Sequence, residues 1–153
     1  MIGDGADMSL ICRVQRRLCA LPLRHVTETM RPLPIEVVAG APHFVLGLAM
    51  IRGAPVPVVD VARLLGEADA PSGRWIALTA GSRRVALAVC EVLGVRPLPA
   101  SARHALPPLL QDAGRDLVSE LGRLDEALLL VLHGGHLLSE DDWTSLSLSG
   151  SIA

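Results

Sequence analysis

The run Phe44 to Gly66, FVLGLAMIRGAPVPVVDVARLLG, constrains the fold of this 153-residue chain more than any other stretch. Val45, Leu46, Leu48, Met50 and Ile51 form an apolar approach, Arg52-Gly53-Ala54-Pro55 marks a turn, and a β-branched run follows from Val56 to Val61. That order predicts strand, turn, strand. Pro57 has no N–H to give to a ladder, so its strand lies at an edge or turns that position away from a neighbour. An edge strand is a place where a partner can dock. At the far end Asp60 can cap the turn Val61 to Leu65, with Gly66 as the residue that stops it.

Strand-like alternation recurs on both sides of this run. SLICRVQ and LCALPLRHVTETM read as two strands, and a turn at Arg16-Arg17 would set Cys12 against Leu21 and Cys19 against Val14. WIALT turns through Ala80-Gly81-Ser82 into RVALAV, which continues as CEVLGVRPLP. Ser139-Glu140-Asp141-Asp142 is a capping-box-like start for a short helix with acids in its first turn.

The central run resembles the CheW-like family of chemotaxis coupling proteins, whose pattern is roughly F-V-x-G-x-x-N-L-R-G-x-x-V-P-V-x-D-L-R-x-x-L-G. Gly47, Arg52, Gly53, Pro57, Asp60, Leu65 and Gly66 stand at the matching spacing, with Met50 in place of the usual Asn and Val61 in place of Leu. Leu18 to Leu23 followed by Val26 and Glu28 is similar to the family's Y-A-I-P-L-x-x-V-x-E segment. Val92, Gly94 and Val95 fit a V-D-x-V-x-G-V continuation in which Cys90 replaces the Asp. Leu117 to Leu138 resembles I-x-G-L-x-R-L-D-G-x-L-x-L-L-L-D-x-x-x-L-L, with Glu120 at a family Gly and His133 at a family Asp.

The resemblance spans Leu10 to Leu138 and implies an all-β fold of two small five-stranded β-barrel lobes packed around a shared apolar core, with few short helices. On it the chain divides into a flexible tail over 1–8, a single domain over 9–146 and a flexible tail over 147–153. Within the domain, lobe one covers 9–66, a linker 67–73, lobe two 74–138 and a short helix 139–146. The implied role is a non-catalytic adaptor without cofactor, joining the cytoplasmic tip of a chemoreceptor (a methyl-accepting chemotaxis protein) to the regulatory domain of a CheA-like histidine kinase. Val26, Glu28, Gly47, Met50 and Arg52 are carried over to the receptor side, Val92 and Glu120 to the kinase side. The setting implied is the cytoplasm, with recruitment to membrane-associated receptor arrays. A divergent module of another chemosensory pathway, serving surface or pilus motility and lacking one partner, is the alternative that Cys90, Glu120 and His133 motivate.

Composition narrows the function independently. Half the residues are hydrophobic and 20% are charged, which suits a compact chain with apolar surface to cover by a partner. The formal charge of −2 and only three aromatics, Phe44, Trp75 and Trp143, leave neither a phosphate-neutralising patch nor a base-stacking platform for nucleic acid. The apolar run Ala127 to Leu132 is too short to span a bilayer, and MIGDGAD has no basic region before an apolar one. Dinucleotide, P-loop, nucleophile-elbow and His-Glu-x-x-His motifs are missing. The different-class alternative is a small zinc hydrolase, in which His133 and His136 take the metal with Glu140 or Asp141 as third ligand. A Cys90 nucleophile beside His104 or His133 is disfavoured by its apolar neighbours Val89 and Val92. The three cysteines, odd in number and set among apolar residues, are expected to be reduced core thiols.

Overall fold

The computed structural model describes residues 8–66, 72–105, 118–132, 138 and 140–150. Eleven strands carry it: β1 (Met8–Val14), β2 (Arg17–Pro22), β3 (Val26–Met30), β4 (Val45–Ile51), β5 (Ala54–Asp60), β6 (Arg74–Ala80), β7 (Arg83–Val89), β8 (Glu91–Pro97), β9 (Arg103–Ala105), β10 (Val118–Leu124) and β11 (Ala127–Leu132). Among the described residues there are also two short α-helices, α1 (Val61–Leu64) and α2 (Glu140–Gly150). The strands form a five-stranded sheet in the order β3-β6-β7-β5-β4 and a six-stranded sheet in the order β8-β1-β2-β11-β10-β9. Strands on both sides of segment 67–73 share the first sheet, and the N-terminal hairpin β1-β2 completes the second.

The two sheets are wired alike. Each has an edge strand paired to a hairpin with one register shift (β3 on β6, β8 on β1), and each has one parallel pair (β5 with β7, β11 with β2). Each also has a hairpin closed by a two-residue turn with both residues at positive φ, Arg52-Gly53 in one and Asp125-Glu126 in the other. Superposing the ladders makes Val26 the counterpart of Val92 and Gly47 the counterpart of Glu120.

One apolar cluster lies between the sheets, joining Leu10, Cys12, Val14, Cys19 and Leu21 to Ile76, Leu78, Val85 and Leu87, with Phe44 1% exposed among them. This is the shared core expected. Each sheet also curls round a cluster of its own on the other face: Trp75, Ala86, Ala88, Val58 and Ile51 in one, Ile11, Ala20, Leu98, Leu129 and Val131 in the other. Met30 on edge strand β3 and Leu46 on edge strand β4 both pack on the first of these, so side chains bring the two edges together. Backbone pairing stops short of the closed barrels expected, because the curl is completed by packing and not by a ladder.

Three local outcomes are instructive. Pro57 is on an interior strand, not an edge. Its partner Leu48 donates its N–H to the Glu36 carbonyl and accepts the Glu36 N–H at its own carbonyl, each at 2.8 Å, so Pro57 opposes a non-hydrogen-bonded position, and the described β7 pairing begins only at Val58. The first hairpin turns at Gln15-Arg16 and not at Arg16-Arg17, because Gln15 takes a φ of +55°, and Cys12 therefore opposes Cys19 directly. Finally, α2 runs to Gly150, beyond the expected end at Leu146, which is itself buried in the shared core. Asp60 caps α1 as anticipated, its Oδ1 accepting the Ala62 N–H at 3.0 Å, and Gly66 ends it at a φ of +78°.

Candidate functional site

The mouth of the curled five-stranded sheet is a solvent-open depression of about 390 Å³, lined from all five strands or their turns. Its rim is polar: Thr27 and Glu28 from β3, Arg52 from the β4-β5 turn and Arg84 from β7. Its floor is apolar and includes Ile51, Val56, Leu78 and Val85. A shallow apolar floor within a sparse charged rim suits an inserted side chain or helix tip, with the rim fixing orientation.

Arg52 is held by backbone before it is held by chemistry. Its φ of +52° beside Gly53 at +79° gives the two-residue turn whose twist matches a hairpin. From there the guanidinium makes a fork to Glu28, Nε donating to Oε2 at 3.0 Å and Nη2 donating to Oε1 at 2.9 Å. Glu28 is on one edge strand and Arg52 ends the other, so this pair clasps the open side of the curl. Arg52 stays 72% exposed and keeps a face open to solvent, whereas Glu28 is 29% exposed. Arg84 donates from Nη2 to the Ile51 carbonyl at 2.8 Å and anchors the turn from below. Thr27, in the register shift of β3, donates its hydroxyl to the Ala77 carbonyl at 3.0 Å.

The Arg52 hydrogen bonds, then the charges of Arg52 and Arg84, hold the Glu28 carboxyl below its ordinary value against partial desolvation. The folded-state pKa is thus lower than the unfolded one, so the clasp's contribution is present above the unfolded pKa and is lost as pH falls through the folded pKa. Urea midpoints followed into the acid range are expected to fall more steeply for the native protein than for Glu28→Gln. Equal slopes would remove Glu28 from the acid response.

The remaining expected site residues fall as follows. Val26 is half-buried against the shared core one step above the depression, and Met50, 62% exposed on edge strand β4, faces solvent opposite Pro55. Gly47 is buried: a side chain there would meet the Glu36 carbonyl and the Ile35 Cγ2, so its role is to let segment 35–36 cover β4. Glu28 and Arg52 are brought together. Val92 on β8 and Glu120 on β10 are separated by three strands in their sheet. Glu120 lies 3.7 Å from Arg103, and Val92 packs on the shared core. Arg84 and Thr27 were not singled out from sequence; an Arg inside the alternating run RRVALAV was the available signal for the first. His133 and His136 lie outside the described residues, and among the described residues no group of three or more His, Cys, Asp or Glu could hold a metal ion.

A family model described as CheW-like domain matches residues 9–142. The chain is 26% identical over 143 residues to the Probable chemotaxis protein CheW of Rhizobium etli, covering 91% of this chain and 92% of that one. It is 30% identical over 103 residues to Protein FrzA of Myxococcus xanthus, covering 65% of this chain and 61% of the relative. The crystal structure of scaffolding protein TtCheW from Thermoanaerobacter tengcongensis superposes with a TM-score of 0.80 at 18% identity, covering 90% of this chain and 95% of that one, which shows the fold.

Proposed function

The chain belongs to the CheW-like domain family, and from that premise we propose that it couples the cytoplasmic tip of a chemoreceptor to the regulatory domain of a CheA-like histidine kinase. It is a scaffold adaptor of chemotaxis-type signalling and not an enzyme, as members of that family are. The observation that carries this reading is the family match over residues 9–142; it leaves the zinc hydrolase alternative without support. Among the described residues no helix is long and apolar enough to cross a membrane, and the proposed setting is the cytoplasm, at receptor arrays.

In this reading the mouth of the five-stranded sheet takes the receptor tip. Arg52 and Glu28 orient it, Val26 and Met50 add apolar contact, and Gly47 keeps the covered edge of β4 in place. Val92 and Glu120 face the kinase. A reconstituted assay with receptor, kinase and this protein tests the coupling: autophosphorylation is expected to rise on its addition, and no rise from a folded sample would defeat the full-coupler reading in favour of a module lacking one partner. Arg52→Ala is expected to weaken binding of the receptor tip by roughly tenfold or more. Its melting temperature should move by less than about 3 °C, as for a surface change. A larger thermal loss would make Arg52 a structural residue.

A further inference from the structure

We propose that Cys12 and Cys19 are a modification site, a dithiol that closes reversibly to an intramolecular disulfide across the β1-β2 hairpin. The two residues are register partners on adjacent antiparallel strands and both point into the core between the sheets, where each is fully buried. The Arg13 carbonyl accepts the Cys90 N–H at 3.0 Å, away from β2, which makes Cys12/Cys19 the hydrogen-bonded kind of pair. Such a pair has its Cα atoms about 5.5 Å apart, inside the roughly 4.4–6.8 Å window of a disulfide, but its Cβ atoms stand about as far apart and must close to roughly 4 Å, so the bond forms with a local shift of the hairpin and is strained and readily reduced. Cys90 is nearby but turned aside, its Sγ accepting the Gln15 N–H at 3.2 Å.

The expected kinetics follow from the surroundings. The mutual hydrogen bond with Cys19, then burial, push the Cys12 thiol well above its usual value, so the pair reacts only when the hairpin opens. The hairpin is held least firmly where β1 meets β8: that ladder slips in register at Ile11/Cys12, and β8 is an edge strand whose Leu93 and Val95 are exposed. With hydrogen peroxide as oxidant, one thiol becomes a sulfenic acid with release of water. The other thiol's sulfur then attacks that sulfur, the S–O bond breaks, and the hydroxyl leaves as a second water with the attacking thiol's proton. Net, two thiols and one peroxide give one disulfide and two waters. A dithiol reductant reverses it by exchange.

The test treats the folded full chain with hydrogen peroxide, blocks remaining thiols with N-ethylmaleimide before any denaturant is added, and maps peptides by mass spectrometry. The expected result is loss of Cys12 and Cys19 together as a linked pair, recovery of both with dithiothreitol, and the same linkage in Cys90→Ala. Cys12 and Cys19 both still alkylatable once the chain is unfolded, a link from either to Cys90 or to a second chain, or a link that forms only in denaturant would each overturn it.

Discussion

Gly47→Ala is expected to destabilise the protein by roughly 2–6 kcal/mol, combining about 1–3 kcal/mol of left-handed backbone strain with a steric overlap of similar size. At this chain length that corresponds to a melting temperature lower by about 5–15 °C. Gly47 has a φ of +147° at the point where the β4-β5 register shifts, and a Cβ there runs into the Glu36 carbonyl, which is backbone and cannot swing away. Relief would require segment 35–36 to lift, breaking both hydrogen bonds between Glu36 and Leu48 and exposing edge strand β4. Gly53→Ala is the control. That residue also has positive φ, at +79°, yet none of the described residues comes within 4 Å of the added Cβ, so only the strain of about 1 kcal/mol is left. Thermal melts of the two variants decide the matter: equal losses would show that the covering segment yields freely.

The comparison of Gly47 with Gly53 also marks what could be read before the structure. Both glycines fall in one motif, and the turn at Arg52-Gly53 was legible because strand periodicity brackets it and a glycine is needed at positive φ. The buried role of Gly47 was not, since the segment that covers it comes from a Pro-rich stretch with no strand periodicity of its own. The Gln15 turn was missed for a related reason: Gln carries no turn signal, and moving the turn by one residue moves every cross-strand partner by two, which is why Cys12 meets Cys19 and not Leu21.

Glu28 and Arg52 could be named from sequence as charged residues among apolar strands, but not joined. They are 24 residues apart and on opposite edges of the sheet order, and only its curl makes them neighbours. The curl follows from the parallel pairings β5-β7 and β2-β11, which also carry β1-β2 into the sheet of the C-terminal strands. Alternation is indifferent to which strand lies next to which. It therefore fixed the faces of the strands and left the exchange of hairpins between sheets open.

Trp75→Ala is expected to cost about 3–5 kcal/mol, the range for truncating a large buried aromatic, and to lower the melting temperature by roughly 10–15 °C. The indole is 1% exposed and centres the cluster inside the five-stranded curl. Several of its companions are already small, Ala49, Ala86 and Ala88, and cannot extend into the space it leaves. Trp75→Phe separates volume from polarity. The Trp75 Nε1 is buried with no hydrogen-bond partner among the described residues, so Phe removes that donor while keeping much of the ring, and a loss well under half that of Ala is expected. The consequence reaches the site, because Trp75 is the register partner of Met30, two residues along β3 from Glu28. With the cluster emptied, the Glu28 edge loses its seat and the clasp to Arg52 no longer holds the open side of the curl, so receptor-tip binding should fall with stability in Trp75→Ala and persist in Trp75→Phe. Near-native stability of the Ala variant would instead mean that the curl is held by the ion pair at its rim and not by the packing beneath it.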